Sequence, residues 1–379
     1  MDARSDPPYA DTFFICWGDE ILNMIVRIFT FPIPDSGFIP LSLLVALLIT
    51  LPACDVAREG SAQNTPLRMG ISVPANPSHA WRAPLATRSL LLAIEQSGHR
   101  IIAVGERGHI LYRQERIPWR QAQVPTQVLL TGLSFSHARH GLAVGHDGII
   151  LATDDGGQTW RKVREAIEEE RPLLDILSWD RFGIAVGAYG YLLETKDGGQ
   201  SWRPGAIRED HDFHLNAIAM TPDAITGAIT ENSRIYIAAE AGYAYRSDDL
   251  GDTWQTLDPP YDGSFFGIHP IDGKKVIVFG LRSHLFASED AGETWRPVNT
   301  GIQATLTSAT SLRDGRILVT GHGGNLLLVD RALRRTRHAQ LPERKDLSAA
   351  VEIAPNRILL AGEGGIRAID LRQVFSDAP

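Results

Sequence analysis

The chain has 379 residues, with 37 Lys and Arg against 45 Asp and Glu, a formal net charge of −8 and 44% hydrophobic residues. With no basic excess, the composition argues against nucleic acid as a partner, and the length is ample for one large core. The two cysteines, Cys16 and Cys54, supply no disulfide framework.

The first element in chain order is a leader. Residues 38–51 (FIPLSLLVALLITL) form an apolar run of 14, short of the roughly 20 residues that span a bilayer but suited to the core of a secretory signal. Leu51-Pro52-Ala53-Cys54 follows and resembles the lipobox of bacterial lipoproteins. That resemblance implies a signal peptide over 1–53 and lipid on Cys54; a simple cleaved signal or an uncleaved anchor is the alternative. The opening residues are acidic (Asp2, Asp6, Asp11, Asp19, Glu20), whereas Met24 followed by Arg27 gives the basic start that a signal needs, so Met24 is a candidate true start. Cleaved before Cys54, the chain keeps 35 basic and 39 acidic residues. Residues 54–79 carry the lipidated Cys and then a polar, aperiodic stretch that reads as a flexible tether. Asp55 resembles a signal that holds some lipoproteins on the inner membrane. The expected location is the bacterial periplasm, lipid-anchored, with the inner membrane slightly favoured.

From residue 80 onward the sequence repeats. Seven short apolar runs end in glycine-rich turns, aligned on Gly105, Gly145, Gly187, Ala239, Gly280, Gly321 and Gly362 at spacings of 40, 42, 52, 41, 41 and 41. A period near 40 with several short strands per unit predicts an all-β, seven-bladed propeller with four-stranded blades over 80–379. An octet with the pattern [ST]-x-D-x-G-x-[ST]-W occurs at Thr153–Trp160, Thr195–Trp202, Ser247–Trp254 and Ser288–Trp295. It resembles the Asp-box of sialidases and related propellers and reads as the hairpin between the third and fourth strands. Asp155, Asp197, Asp249 and Asp290 should accept turn hydrogen bonds, and Trp160, Trp202, Trp254 and Trp295 should pack between blades. Blade 1 keeps a worn copy, Tyr112–Trp119; blades 6 and 7 have lost it, at Val329–Thr336 and from Asp370 onward. The additional residues of blade 4 fall around 221–233. Trp81-Arg82 matches the Trp-Arg that opens the fourth strands, so Trp81–Leu85 is expected to complete the last blade and remove its open edge.

Function must lie between the boxes. In such blades the turns between second and third strands share one face with the blade-to-blade connections, and the Asp-boxes occupy the other. The turn centres vary while their flanking glycines repeat. Arg107, His146, Tyr189, Glu240, Arg282, His322 and Glu363 are therefore the candidate partner-binding rim, the alternative being a solvated edge of ordinary polar turns. Arg107 and Arg282 suit carboxylates through their planar forks, or pair with Glu106, Glu240 or Glu363 of the same rim. His146 and His322 stand on distant blades, and His211-Asp212-Phe213-His214 lacks a third ligand, so no metal or other cofactor is expected. Glu168-Glu169-Glu170 reads as a solvated acidic loop.

A sialidase reading fails on position. Arg116-Ile117-Pro118 lies in the worn box of blade 1, with Glu115 where such enzymes carry an aromatic. No catalytic residue is assigned. The lipobox, tether and repeated units, strongest in GLAVGHDGIILATDDGGQTWRKV and GIAVGAYGYLLETKDGGQSWRPG, resemble the photosystem II stability/assembly-factor family over about residues 80–370. The resemblance implies a non-enzymatic propeller that binds a membrane-protein precursor through an arginine-rich patch. The expectation is a membrane-tethered protein, monomeric alone, that assists a membrane complex. An accessory subunit of an envelope transporter, or a glycan-binding or divergent sialidase-like protein, are the alternatives.

Overall fold

The computed structural model describes residues 78–376, apart from 115–116, 209–211, 222–229 and 231–232. The leader 1–53, Cys54 and all but the last two residues of the expected tether lie outside the described residues, as do His211 and Arg116. No helix among the described residues is long and apolar enough to cross a membrane.

Seven antiparallel sheets follow one another along the chain, each built from consecutive strands. In blade 2 these are Leu130–Phe135, Gly141–Gly145, Ile150–Thr153 and Arg161–Arg164. The second and third strands (GLAVG and ILAT) are buried at every residue. A continuous apolar run bounded by turn residues is the sequence mark of a strand covered on both faces. Here the covers are the neighbouring blades. The fourth strand, RKVR, is polar and lies at the outer edge. The first strands pack side by side around the ring, and that of blade 7, Leu347–Ala354, meets that of blade 1, Leu91–Ser97. Blade 4's long connection runs from its first strand, Leu215–Met220, to its second, Ile235–Ala239, as the spacing predicted.

The Asp-boxes repeat one hydrogen-bond circuit. The leading hydroxyl of Thr153, Thr195, Ser247 and Ser288 donates to the carboxylate of Asp155, Asp197, Asp249 and Asp290 at 2.9, 2.8, 2.8 and 2.7 Å. The same oxygen accepts the amide of Gly157, Gly199, Gly251 and Gly292 at 3.0, 3.0, 2.8 and 2.7 Å. The aspartate then accepts both the amide and the hydroxyl of Thr159, Ser201, Thr253 and Thr294. The hydroxyl of Ser201 leads the donors that hold Asp197 down to about 2, and the other three aspartates are also lowered by their turn donors, which in Asp155 and Asp249 outweigh a larger opposing effect of burial.

Each blade also plugs the wedge between itself and the blade before it. Trp160 packs with Ile102 and Val104 of blade 1 and Leu130 and Ala143 of its own blade. Trp202, Trp254 and Trp295 do the same for the next three wedges, and Trp119 for the wedge between blades 7 and 1. The worn copies keep the plug with other residues. Leu333, fully buried, fills the wedge between blades 5 and 6. Leu371 and Phe375, from the short helix Leu371–Val374 and the residue after it, fill that between blades 6 and 7.

The expected N-terminal strand is not formed. The seventh sheet has three strands, Leu347–Ala354, Arg357–Gly362 and Arg367–Asp370, and Arg82 makes only an isolated bridge. Trp81 is 47% exposed and plugs no wedge. The backbone near it is satisfied by blade 1 instead: Ala80 N donates to Val124 O at 2.9 Å and Ala83 N to Gln121 Oε1 at 2.9 Å. A few residues on, Ile366 N of blade 7 donates to Thr87 O at 3.0 Å, and Ala86 packs with Leu359 and Ala361. The segment thus straddles the first and last blades without laddering onto either.

Candidate functional site

The seven turns at the other end of the blades share one backbone frame. The amide of the first turn residue (Glu106, His146, Ala188, Glu240, Leu281, His322, Glu363) donates to the carbonyl just before the first strand of its own blade (Leu90, Leu129, Pro172, His214, Ser264, Thr305, Asp346), at 2.9–3.2 Å. That close approach explains the repeated glycine ahead of the turn: a Cβ on Gly145 would sit 2.1 Å from Leu129 O. The connections therefore lie beside the turns, as the sequence predicted, and Asp-box glycines such as Gly156 and Gly198 bond the opposite loops at Arg139 and Arg181.

Within this frame the candidate residues divide into two slots. Those in the first slot face their own blade. Glu106 accepts the amide of Leu90 at 3.2 Å, Glu240 that of His214 at 3.0 Å, and Glu363 that of Asp346 at 3.4 Å. Glu240 also meets His214 Nδ1 at 2.7 Å. Burial alone would raise the Glu240 carboxyl, but the His214 hydrogen bonds outweigh it and leave it below its usual range. His322 Nδ1 lies 3.9 Å from Asp346, whose other oxygen accepts the Gly323 amide at 2.7 Å. His146 occupies the same slot and is exposed.

The second slot points outward. Arg107, Asp147, Tyr189, Ala241 and Arg282 all hold φ between 52° and 57°, the left-handed region, and blade 6 has Gly323 there. A non-glycine residue in this region costs on the order of 1 kcal/mol, and five turns keep one. Arg107, Tyr189 and Arg282 are exposed, and the Tyr189 ring lies 4.8 Å from that of His214. The three thus share one slot and one orientation, while the four other candidates sit in the slot before. That division was hidden in the sequence, because the two residues of each turn are adjacent and equally variable.

Aromatic residues enrich the sector of blades 3 to 5: Phe213 and Tyr261 lie in connections that the sequence reading assigned to this face, whereas Tyr191, Tyr243 and His284 were passed over. Phe213 stacks on Tyr243 at 4.8 Å and Tyr261 on His284 at 4.0 Å. Tyr191 lies under the guanidiniums of Arg164 and Arg171 at 5.7 and 5.6 Å, and its hydroxyl donates to Glu169 at 2.5 Å. Burial and that carboxylate push the Tyr191 phenol up to about 12. Glu169 is therefore tied into the loop, not offered as part of a free acidic surface.

Two acids on the innermost strands were also missed. Glu95 accepts the amide of Phe135 on the next blade at 3.3 Å, and burial pushes it up to about 8. Asp175 bridges the amides of Ile176 at 2.8 Å and Ile218 at 3.0 Å and is raised by burial to about 6. The available signal was a carboxylate inside an apolar strand, as in LLAIEQS. Among the described residues no three His, Cys, Asp or Glu side chains converge on a metal-sized site.

Scaffold carboxylates at one end and an outward ring of varied side chains at the other define a seven-bladed Asp-box propeller. The family described as photosynthesis system II assembly factor YCF48 matches residues 111–345, and the chain belongs to it. Among curated relatives, the photosystem II assembly lipoprotein Ycf48 of Prochlorococcus marinus is 40% identical over 138 residues, 36% of this chain and 39% of that one. The first curated relatives are matched over still less of their length, 18% for that of Trichormus variabilis. Among solved structures, YCF48 from Cyanidioschyzon merolae superposes with a TM-score of 0.59 at 15% identity, covering 77% of this chain and 98% of that one. The structure described as YCF48 bound to D1 peptide gives a TM-score of 0.57 at 14% identity, over 74% and 93%. At those identities the superpositions speak for the fold.

Proposed function

We propose that this protein is a non-enzymatic, membrane-anchored assembly factor that holds a peptide segment of a membrane-complex subunit on its turn rim. The observation that carries the reading is the second turn slot, where Arg107, Tyr189 and Arg282 face outward on strained backbone. An arginine fork suits carboxylates, and a tyrosine adds apolar area at low entropic cost. Family membership supports the reading, as does the relative described as bound to a D1 peptide. The lipobox at Cys54 and the relatives' description as lipoproteins support an anchor, with the propeller in the periplasm.

Binding of a fluorescent D1 peptide to the full chain tests the rim. The triple variant Arg107→Gln, Tyr189→Ala, Arg282→Gln should bind at least about tenfold more weakly; undiminished binding would sink the assignment. Photo-crosslinking from positions 189 and 282 in membranes then identifies the partner. Recovery of a transporter subunit, or of glycan alone, would replace the assembly reading. The mass of the mature chain reads the lipid on Cys54 independently.

A further inference from the structure

The worn box of blade 6 inverts the charge of the other four. Aligned on Ser288–Trp295, Val329–Thr336 places Arg331 where Asp290 stands, and Arg334 and Arg335 where Glu293 and Thr294 stand. The turn nevertheless keeps its shape. Asp330 Oδ1 accepts the amides of Arg334 at 2.8 Å and Arg335 at 3.2 Å, and Leu333 at φ 56° supplies the wedge plug. The scaffold is thus complete without the three guanidiniums, and all three side chains are exposed.

Their partners are few. Arg331 bonds only the backbone carbonyl of Asp314, and Arg335 makes no ion pair among the described residues. Arg334 shares Glu289 with Arg296, at 3.6 and 3.0 Å. Lys275 Nζ reaches Arg331 O at 3.4 Å, and Arg316 holds Asp314 at 2.6 Å. Six cations therefore surround four carboxylates (Asp272, Glu289, Asp314 and Asp330) in a chain whose net charge is −8. Hydrogen bonds from Arg296 and Arg316 hold Glu289 and Asp314 below their usual range, so these acids are already spent.

We propose that this patch docks the propeller on the phosphate headgroups of an anionic bilayer. The choice of occupant rests on the membrane-anchored reading of Cys54. Residues 55–77 lie between Cys54 and the propeller; a random coil of that length spans about 25–30 Å, comparable to the roughly 19 Å radius of gyration of a 300-residue domain. A lipid on Cys54 would hold the propeller close to a membrane, where a weak attraction acts at high effective concentration. Guanidiniums lacking carboxylate partners have little to lose on meeting phosphate, and their fork matches its oxygens. The patch belongs to the Asp-box end of the blades, so docking leaves the turn rim at the other end open to a protein partner.

The test uses the mature chain from residue 54 with Cys54→Ser, so that neither the apolar leader nor lipid contributes, in co-sedimentation with two vesicle types: phosphatidylcholine alone, and phosphatidylcholine with one-third phosphatidylglycerol. The protein should sediment with the anionic vesicles only, and raised salt should release it. Since each basic side chain near such a surface contributes about fivefold in affinity, Arg331→Gln, Arg334→Gln, Arg335→Gln together should weaken binding at least about tenfold. The melting temperature should not change. Should the triple variant unfold, Arg335→Gln alone, which removes no ion pair, should still lose about fivefold. Equal sedimentation with both vesicle types, absence of binding, or undiminished binding by the variants would overturn the proposal, and so would capture of polyglutamate without vesicle binding. Because the anchor is absent from this assay, failure here is separable from failure of the lipoprotein reading, which the mass of the mature chain decides.

Discussion

The two ends of the blades use repetition in opposite ways. At the Asp-box end the side chains repeat: the same hydroxyl, carboxylate, glycine and tryptophan close the same circuit in four blades. At the turn end the backbone repeats in seven blades while its outward residue ranges from Arg to Tyr to Gly. Repeated side chains mark work done for the fold. A repeated frame with varied side chains marks a surface that can be assigned to a partner at a small cost to the fold.

The largest effect expected from that contrast is at the plugs. Trp160→Ala should cost about 3–5 kcal/mol of stability, as for other large core truncations, read by urea denaturation. Leu333→Ala should cost about 2–5 kcal/mol for the same reason, although nothing in its octet resembles a box. A loss confined to the tryptophan would break the claim that both fill equivalent wedges.

The innermost strands come next. Glu95 is raised to about 8 from 4.5, so the folded state disfavours its ionised form. Its destabilising contribution is absent below about pH 4.5, grows as pH rises and is complete above about pH 8. Glu95→Gln should therefore match the wild type in melting temperature near pH 4.5 and exceed it near pH 8. Equal melting at both pH values would show that burial does not act on this acid.

A smaller loss is expected at the box acids. Asp155→Ala should cost about 1 kcal/mol, because the site is half-buried and water replaces part of the lost hydrogen bonding. The box carboxylates are lowered, so their contribution is present above about pH 4 and fades as pH falls toward 2. The acid limb of the stability profile should flatten in the variant.

The smallest effect sharpens the contrast most. Arg282→Gly removes the side chain but relieves the left-handed backbone, so stability should change by less than about 1 kcal/mol while partner binding weakens. A large loss of stability would make the rim arginine scaffold and collapse the distinction between the two ends.

The blade count, the Asp-box circuit and the wedge role of the tryptophans were legible because each is written as identity at fixed spacing. Leu333 and Phe375 were not, because a wedge demands apolar volume and accepts it from any backbone that delivers it. The Trp81-Arg82 match misled for a related reason. Two residues copied the start of a fourth strand, but the backbone beside them had already found donors and acceptors on blade 1. The placing of the turns together at one end of the blades was legible from the repeat, while their division into two slots depends on φ and on which amide each Glu accepts, and neither is encoded by residue type alone.

Leu371 and Phe375 also set a timetable. The wedge between blades 6 and 7 is filled by residues near the end of the described chain, and blade 7 is joined to blade 1 by the segment around Thr87. The ring therefore cannot shut until the segment that carries Leu371 and Phe375 has joined it. Until then the folding protein is an open arc with an unfilled notch, and the last plug to arrive is also the latch of the ring.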